Sequence, residues 1–186
     1  MKTPIIITER LILREVKKDD VNDIFTCWMQ DEDVSRYMYW KASNDISKVE
    51  EFVQFELEQI DNDKWNRWII ISKDTDEMLG TCLVFWNEDD LTPHWDVSYN
   101  LGKKYWGKGY ITEAMFEVMK YAESSLHMKE CITSYAKVNE ASANVLHKLG
   151  FVDEKEISYE CSGGEIVTDG IQCRYTAKTT SEENIK

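Results

Sequence analysis

The chain has 186 residues, 42% hydrophobic and 31% charged, and 35 acidic against 22 basic side chains give a formal net charge of −13. That length buries one domain well and two poorly. The acidic balance excludes a surface built on Lys and Arg neutralising nucleic-acid phosphates, and is accounted for either by solubility or by attraction of a cationic amine.

In chain order, "PIIITERLILREV" is β-branched without a helical stripe and predicts a strand over Ile5–Val16. Its apolar run breaks at Glu9 and Arg10, so it is neither a secretory core nor a membrane span. A cytoplasmic, membrane-free protein is expected. Val21, Ile24, Phe25 and Trp28 then recur at helical spacing, with Asp19 or Asp20 as N-cap. An irregular connector follows, carrying Tyr37, Tyr39 and Trp40, aromatic faces suited either to a cationic amine or to packing. Ile46, Val49, Val53, Leu57 and Ile60 predict a second helix. "WNRWIIISKDTDEMLGTCLVFW" predicts a hairpin turning at Asp74–Glu77.

From His94 to Leu101 the pattern alternates. Trp95, Val97, Tyr99 and Leu101 face one way; His94, Asp96, Ser98 and Asn100 face the other. A glycine loop leads into a helix near Ile111 that carries Met115, Val118, Met119, Ala122 and Leu126 on one face. "ECITSYAKV" is the next strand and "NEASANVLHKLG" a helix ended by Gly150. Strands around Gly163-Gly164 and Asp169-Gly170 complete one mixed α/β domain over residues 1–178, leaving 179–186 as a loose tail.

The five cysteines, Cys27, Cys82, Cys131, Cys161 and Cys173, are widely spaced without C-x-x-C and read as reduced thiols. His94, His127 and His147 lack zinc spacing, so no metal is expected.

The glycine loop, Gly102 to Gly109, reads G-x-x-x-x-G-K, but glycine stands where a triphosphate loop needs the Ser or Thr that binds Mg²⁺. Thr112 comes three residues too late, and the dinucleotide pattern fails at the same position. What remains is a strand, two glycines and a helix N-terminus. That suits a pyrophosphate held without metal, or a plain glycine turn.

Two blocks together point further. Lys104-x-x-Gly107-x-Gly109 and Asn139…Ser142…Lys148-x-Gly150-Phe151 resemble the GNAT N-acetyltransferase superfamily. "TERLILRE", "WIIISKDTDEMLGT" and "YWGKGYITEAM" resemble its branch of ribosomal-protein N-terminal alanine and serine acetyltransferases. The resemblance spans Thr8 to Phe151 and implies a central mixed, mostly antiparallel twisted sheet flanked by helices. It implies acetyl-CoA as co-substrate and direct attack by a primary amine, either a peptide or protein N-terminus or a small molecule. It assigns the Leu101 backbone to the pantetheine arm and Lys104, Trp106, Gly107, Lys108, Gly109, Tyr110 and Thr112 to the pyrophosphate loop and helix start. Asn139 is assigned to the pantetheine amides and Lys148 to the nucleotide end. Asp96 is the first candidate for the base, with His94, Glu88 or water as alternatives. The family's leaving-group tyrosine corresponds to Leu146 here; the resemblance to the ribosomal branch implies Ser142 in its place, with water as the alternative. A catalytically idle acetyl-CoA-binding regulator is the alternative from another class. An open acceptor groove would favour a peptide, an enclosed acidic pocket a small amine.

Overall fold

A computed structural model describes residues 3–88 and 92–177. The strands are β1 (Ile6–Ile7), β2 (Leu11–Arg14), β3 (Trp65–Ser72), β4 (Met78–Asn87), β5 (His94–Leu101), β6 (Glu130–Ala136), β7 (Val152–Cys161) and β8 (Ile166–Thr176). They form one sheet in the order β1-β2-β3-β4-β5-β6-β8-β7. Every neighbouring pair is antiparallel except β5 and β6. Helices α1 (Val21–Ile24), α2 (Glu32–Ser35), α3 (Ser47–Glu58), α4 (Tyr110–Ser125) and α5 (Glu140–Leu149) cover it. The mixed, mostly antiparallel sheet is the architecture expected from the sequence. The expected tail, 179–186, lies outside the described residues. Among them, no helix is long and apolar enough to cross a membrane, and all five cysteines are free.

One local expectation needs correction, and another holds in position only. Ile5–Val16 is not one strand but a short hairpin, with Ile6 paired to Leu13 and Ile7 to Ile12. The polar triplet Thr8-Glu9-Arg10 that interrupts the apolar run makes the turn, closed by the Thr8 N–H donating to the Leu11 carbonyl. Asp20 does stand before α1, yet its carboxylate caps nothing in that helix: it pairs with Arg14 at 2.7 Å and accepts from the Lys17 N–H. Beyond α1 the helix widens to a π-helical turn over Phe25–Met29.

Strand alternation divides the core into two layers. One sheet face carries Trp68, Cys82, Val97 and Leu101 against Met115, Val118 and Met119 of α4 and Leu146 of α5. The other carries Ile69, Ile71 and Met78 against Ile24, Trp28, Val49 and Val53. A buried ion pair lies on that second face: Arg67 Nε donates to Glu56 Oε1 at 2.6 Å, with side chains only 7% and 3% exposed. Glu56 Oε2 also accepts from the Trp65 indole.

Gly80 lets β5 approach β4 at the point where the glycine loop begins. A methyl there would stand 2.1 Å from the Asn100 carbonyl oxygen and 2.8 Å from Leu101 Cα. Backbone cannot swing aside as a side chain can, so Gly80→Ala is expected to destabilise the fold by about 3 kcal/mol. Urea unfolding measures it; a midpoint equal to the parent's would mean that the two strands part readily.

Candidate active site

The parallel pair is where the sheet offers a site. β5 runs through the glycine loop and α4 to β6, and the two strands register at one pair, Trp95 with Cys131. Further along, the Thr133 hydroxyl donates to the Val97 carbonyl at 3.2 Å, a side chain standing in for a ladder bond.

On one side of β5 lies Asp96, half-buried, its Oδ1 accepting from the Val97 N–H at 2.6 Å. Burial raises its pKa to about 6, against the opposing pull of Thr133, the Val97 N–H, His94 and Asn87. A carboxylate so poised is a competent proton acceptor near neutral pH. His94 begins β5 and therefore shares this row, with its Nδ1 2.7 Å from the Thr92 carbonyl. Glu88 stands apart, exposed and ion-paired with Lys64.

On the other side, the Tyr99 hydroxyl lies 3.0 Å from Ser142 Oγ. Asn139 caps α5, its side-chain oxygen accepting from the Ser142 N–H at 3.2 Å. Ser142 is thus spared the capping role that a first-turn serine commonly takes, and its hydroxyl turns to the sheet. Burial pushes the Tyr99 phenol well above its ordinary value, so Tyr99 stays protonated. Leu146, at the family tyrosine's position, is core.

The glycine loop forms a cradle. Lys103–Tyr105 make one 3-10 turn, and Trp106 Nε1 donates to the Leu101 carbonyl at 2.9 Å. Gly107 and Gly109 have φ of +73° and +78°, values that suit glycine. A methyl on Gly107 would meet nothing within 4 Å, which leaves open space above the backbone. Tyr110 and Thr112 lie in the first turn of α4, whose leading N–H groups have no carbonyl within the helix. An anion fits there.

The lysines divide. Lys103 pairs with Asp33 and Lys104 with Glu77, both in exposed contacts that exchange at little cost. Lys108 remains beside the Tyr105 ring, and Lys148 is exposed near the end of α5. Arg10 is a residue that the sequence did not single out. It pairs with Glu113 at 2.6 Å, donates to the Lys108 carbonyl at 3.0 Å and lies over the Tyr110 ring. The Thr8 hydroxyl also donates to Glu113, so the β1–β2 turn clasps the start of α4. About a hundred residues separate the partners, and the only sequence signal was the break at Glu9-Arg10.

Beside Asp96, on the same sheet face, opens a cavity of about 470 Å³ lined by Ser98 and Asn100 of β5 and by Trp28, Trp40, Phe52 and Arg67. Tyr39 reaches its wall but is 63% exposed, and the Tyr37 carbonyl accepts from the Tyr159 hydroxyl.

Comparison with known proteins identifies the family and the fold. The family model described as "Acetyltransferase (GNAT) domain" matches residues 10–152. The uncharacterized N-acetyltransferase p20 of Bacillus licheniformis is 30% identical over 161 residues, 86% of this chain and 89% of that protein. The ribosomal-protein-S5-alanine acetyltransferase of Vibrio fischeri superposes with a TM-score of 0.79 at 21% identity, over 95% of this chain and 98% of that one. A ribosomal L7/L12 α-N-protein acetyltransferase, solved in complex with coenzyme A, gives 0.79 at 14% identity, over 93% and 98%.

Proposed function

This chain belongs to the GNAT acetyltransferase family, and from that premise we propose that it transfers the acetyl group of acetyl-CoA to a primary amine by direct attack. The observation that carries this reading is the pairing across β5 of a carboxylate with a pKa near 6 and a serine–tyrosine hydroxyl pair.

The cradle's open face at Gly107 and the helix N-terminus beyond Gly109 suit the pyrophosphate, and the relative solved with coenzyme A supports the same ligand. Trp106, Gly107, Lys108 and Gly109, with Tyr110 and Thr112, would hold that group, and the Leu101 backbone and Asn139 the pantetheine arm. Lys148 would meet the nucleotide end. Lys104, bound to Glu77, is better suited to bracing the loop.

Acetyl-CoA supplies a thioester whose carbonyl takes the amine nitrogen and whose sulfur leaves as thiolate. An α-amine has a pKa of about 7.7–8.0 and a lysine-like amine about 10.4, so nitrogen must shed a proton. Asp96 takes it, through a water where the short side chain does not reach. The Ser142 hydroxyl, aligned by Tyr99, donates to the departing sulfur.

The test is thiol release from acetyl-CoA with a panel of primary amines; binding of CoA without release from any of them favours the idle regulator instead. Ser142→Ala is expected to lower kcat roughly tenfold while leaving the Kd for CoA within about twofold. A collapse of that Kd would give Ser142 a structural role.

A further inference from the structure

We propose that the acceptor amine carries a carboxylate and that Arg67 receives it in the cavity beside Asp96. This rests on the acetyl-transfer reading and adds the class of acceptor.

In a chain of net charge −13, the charged side chains lining the cavity are Lys41, Lys48 and Arg67, and among the described residues no Asp or Glu lines it. Arg67 is more than nine-tenths buried, with Nε on Glu56 and Nη1 only 3.4 Å from the Thr81 hydroxyl. Its guanidinium carbon lies 5.2 Å from the Phe52 ring centroid and 5.8 Å from that of Trp65, and Nη2 makes no hydrogen bond to protein among the described residues. Asn100, also 9% exposed, has a side-chain oxygen with no hydrogen-bond partner. Orphaned polar groups in a cavity wall mark a site that a ligand or water completes. The guanidinium and the Ser98 hydroxyl supply donors to this wall, the complement of a carboxylate, while the orphaned Asn100 oxygen accepts and suits an N–H of the same molecule.

The register fixes the spacing. Trp65, Phe85 and Asp96 form one cross-strand row and Arg67, Leu83 and Ser98 the next row on the same face. Arg67 therefore stands two strands across and one pleat along from Asp96, about 12 Å by ordinary sheet spacings. An amine at Asp96 and a carboxylate at Arg67 are thus joined by a body several bonds long, against Trp28, Trp40 and Phe52. Lys41 and Lys48 are in exposed pairs with Glu165 and Glu51, which exchange partners at little cost. A polyamine would place its second cation against Arg67.

The experiment compares thiol release for matched acceptors: glycyl-phenylalanine against its C-terminal amide, the amidated tripeptides Ser-Asp-Phe and Ser-Asn-Phe, and spermidine. In the parent, kcat/KM is expected to favour the carboxylate member by roughly tenfold or more. Preference in the dipeptide pair alone identifies a free terminal carboxylate; preference in the tripeptide pair alone identifies an acidic side chain. Arg67→Lys keeps the charge but loses the planar fork. The double variant Glu56→Gln/Arg67→Gln removes both charges without stranding either. In both variants the preference is expected to fall to within about twofold. Equal use of acid and amide, preference for spermidine, or a preference that survives the double variant overturns the proposal while leaving acetyl transfer standing. No release with any acceptor overturns both readings.

Discussion

Asp96→Asn is expected to lower kcat by about 10²–10⁴-fold near neutral pH, the range a positioned general base supplies. The deficit should narrow as pH rises through the acceptor's own pKa, because free amine then needs no base. In the parent, kcat/KM should fall as pH drops through about 6, where the Asp96 carboxylate takes up a proton. A loss of the same size at every pH would remove Asp96 from the proton path. The same substitution carries an opposite expectation for stability. Burial raises the folded pKa above the ordinary value of 3.8, so the fold favours the protonated form. That contribution is fully present below pH 3.8 and is lost as pH rises through about 6. Asparagine stays neutral, and its variant should gain on the order of 1–3 kcal/mol over the parent at pH 7–8 and nothing at pH 4. Thermal unfolding at the two pH values measures the difference. A slower but more stable enzyme would be the signature of a base kept at a cost to the fold.

Glu56→Ala should destabilise the protein by about 3–5 kcal/mol, because it leaves the Arg67 guanidinium buried without its carboxylate and the Trp65 indole without an acceptor. Adding Arg67→Met should restore part of the loss, since it removes the stranded buried charge. Urea unfolding of the two variants reads the effect. If the single variant unfolds at the parent's midpoint, water reaches the pair and its burial is not what holds β3 to α3. The partly restored double variant should still lose its preference for acceptors that bear a carboxylate, which separates the fold's need for a neutral pair from the site's need for a cation.

Much of the sheet was legible because alternation is a local signal. The row His94, Asp96, Ser98 and Asn100 does share one face, and the hairpin turn at Asp74–Glu77 joins β3 to β4. The helices α4 and α5 begin within a residue of where their patterns place them. The single N-terminal strand failed because β-branched residues on both sides of Thr8-Glu9-Arg10 mask a two-strand turn whose brace, Glu113, lies far along the chain. The partners of the loop lysines were hidden for a similar reason. Their charge was visible, but Asp33 and Glu77, which bind Lys103 and Lys104, reach them only through tertiary packing. Tyr99 was read as a core residue of the apolar row, and its hydroxyl contact with Ser142 spans 43 positions. The cavity is farther still from sequence: the π-helical turn after α1, the connector, α3, β3, β4 and β5 each contribute to its lining.

Calorimetric titration with acetyl-CoA in metal-free buffer, followed by Mg-ATP on the same preparation, distinguishes an acetyl-CoA site from a nucleotide site. Saturable binding of one acetyl-CoA per chain and no heat from Mg-ATP is the expected result, because the cradle at Gly107–Gly109 offers backbone donors to a pyrophosphate and no hydroxyl to Mg²⁺. Binding of Mg-ATP with no response to acetyl-CoA would contradict the account.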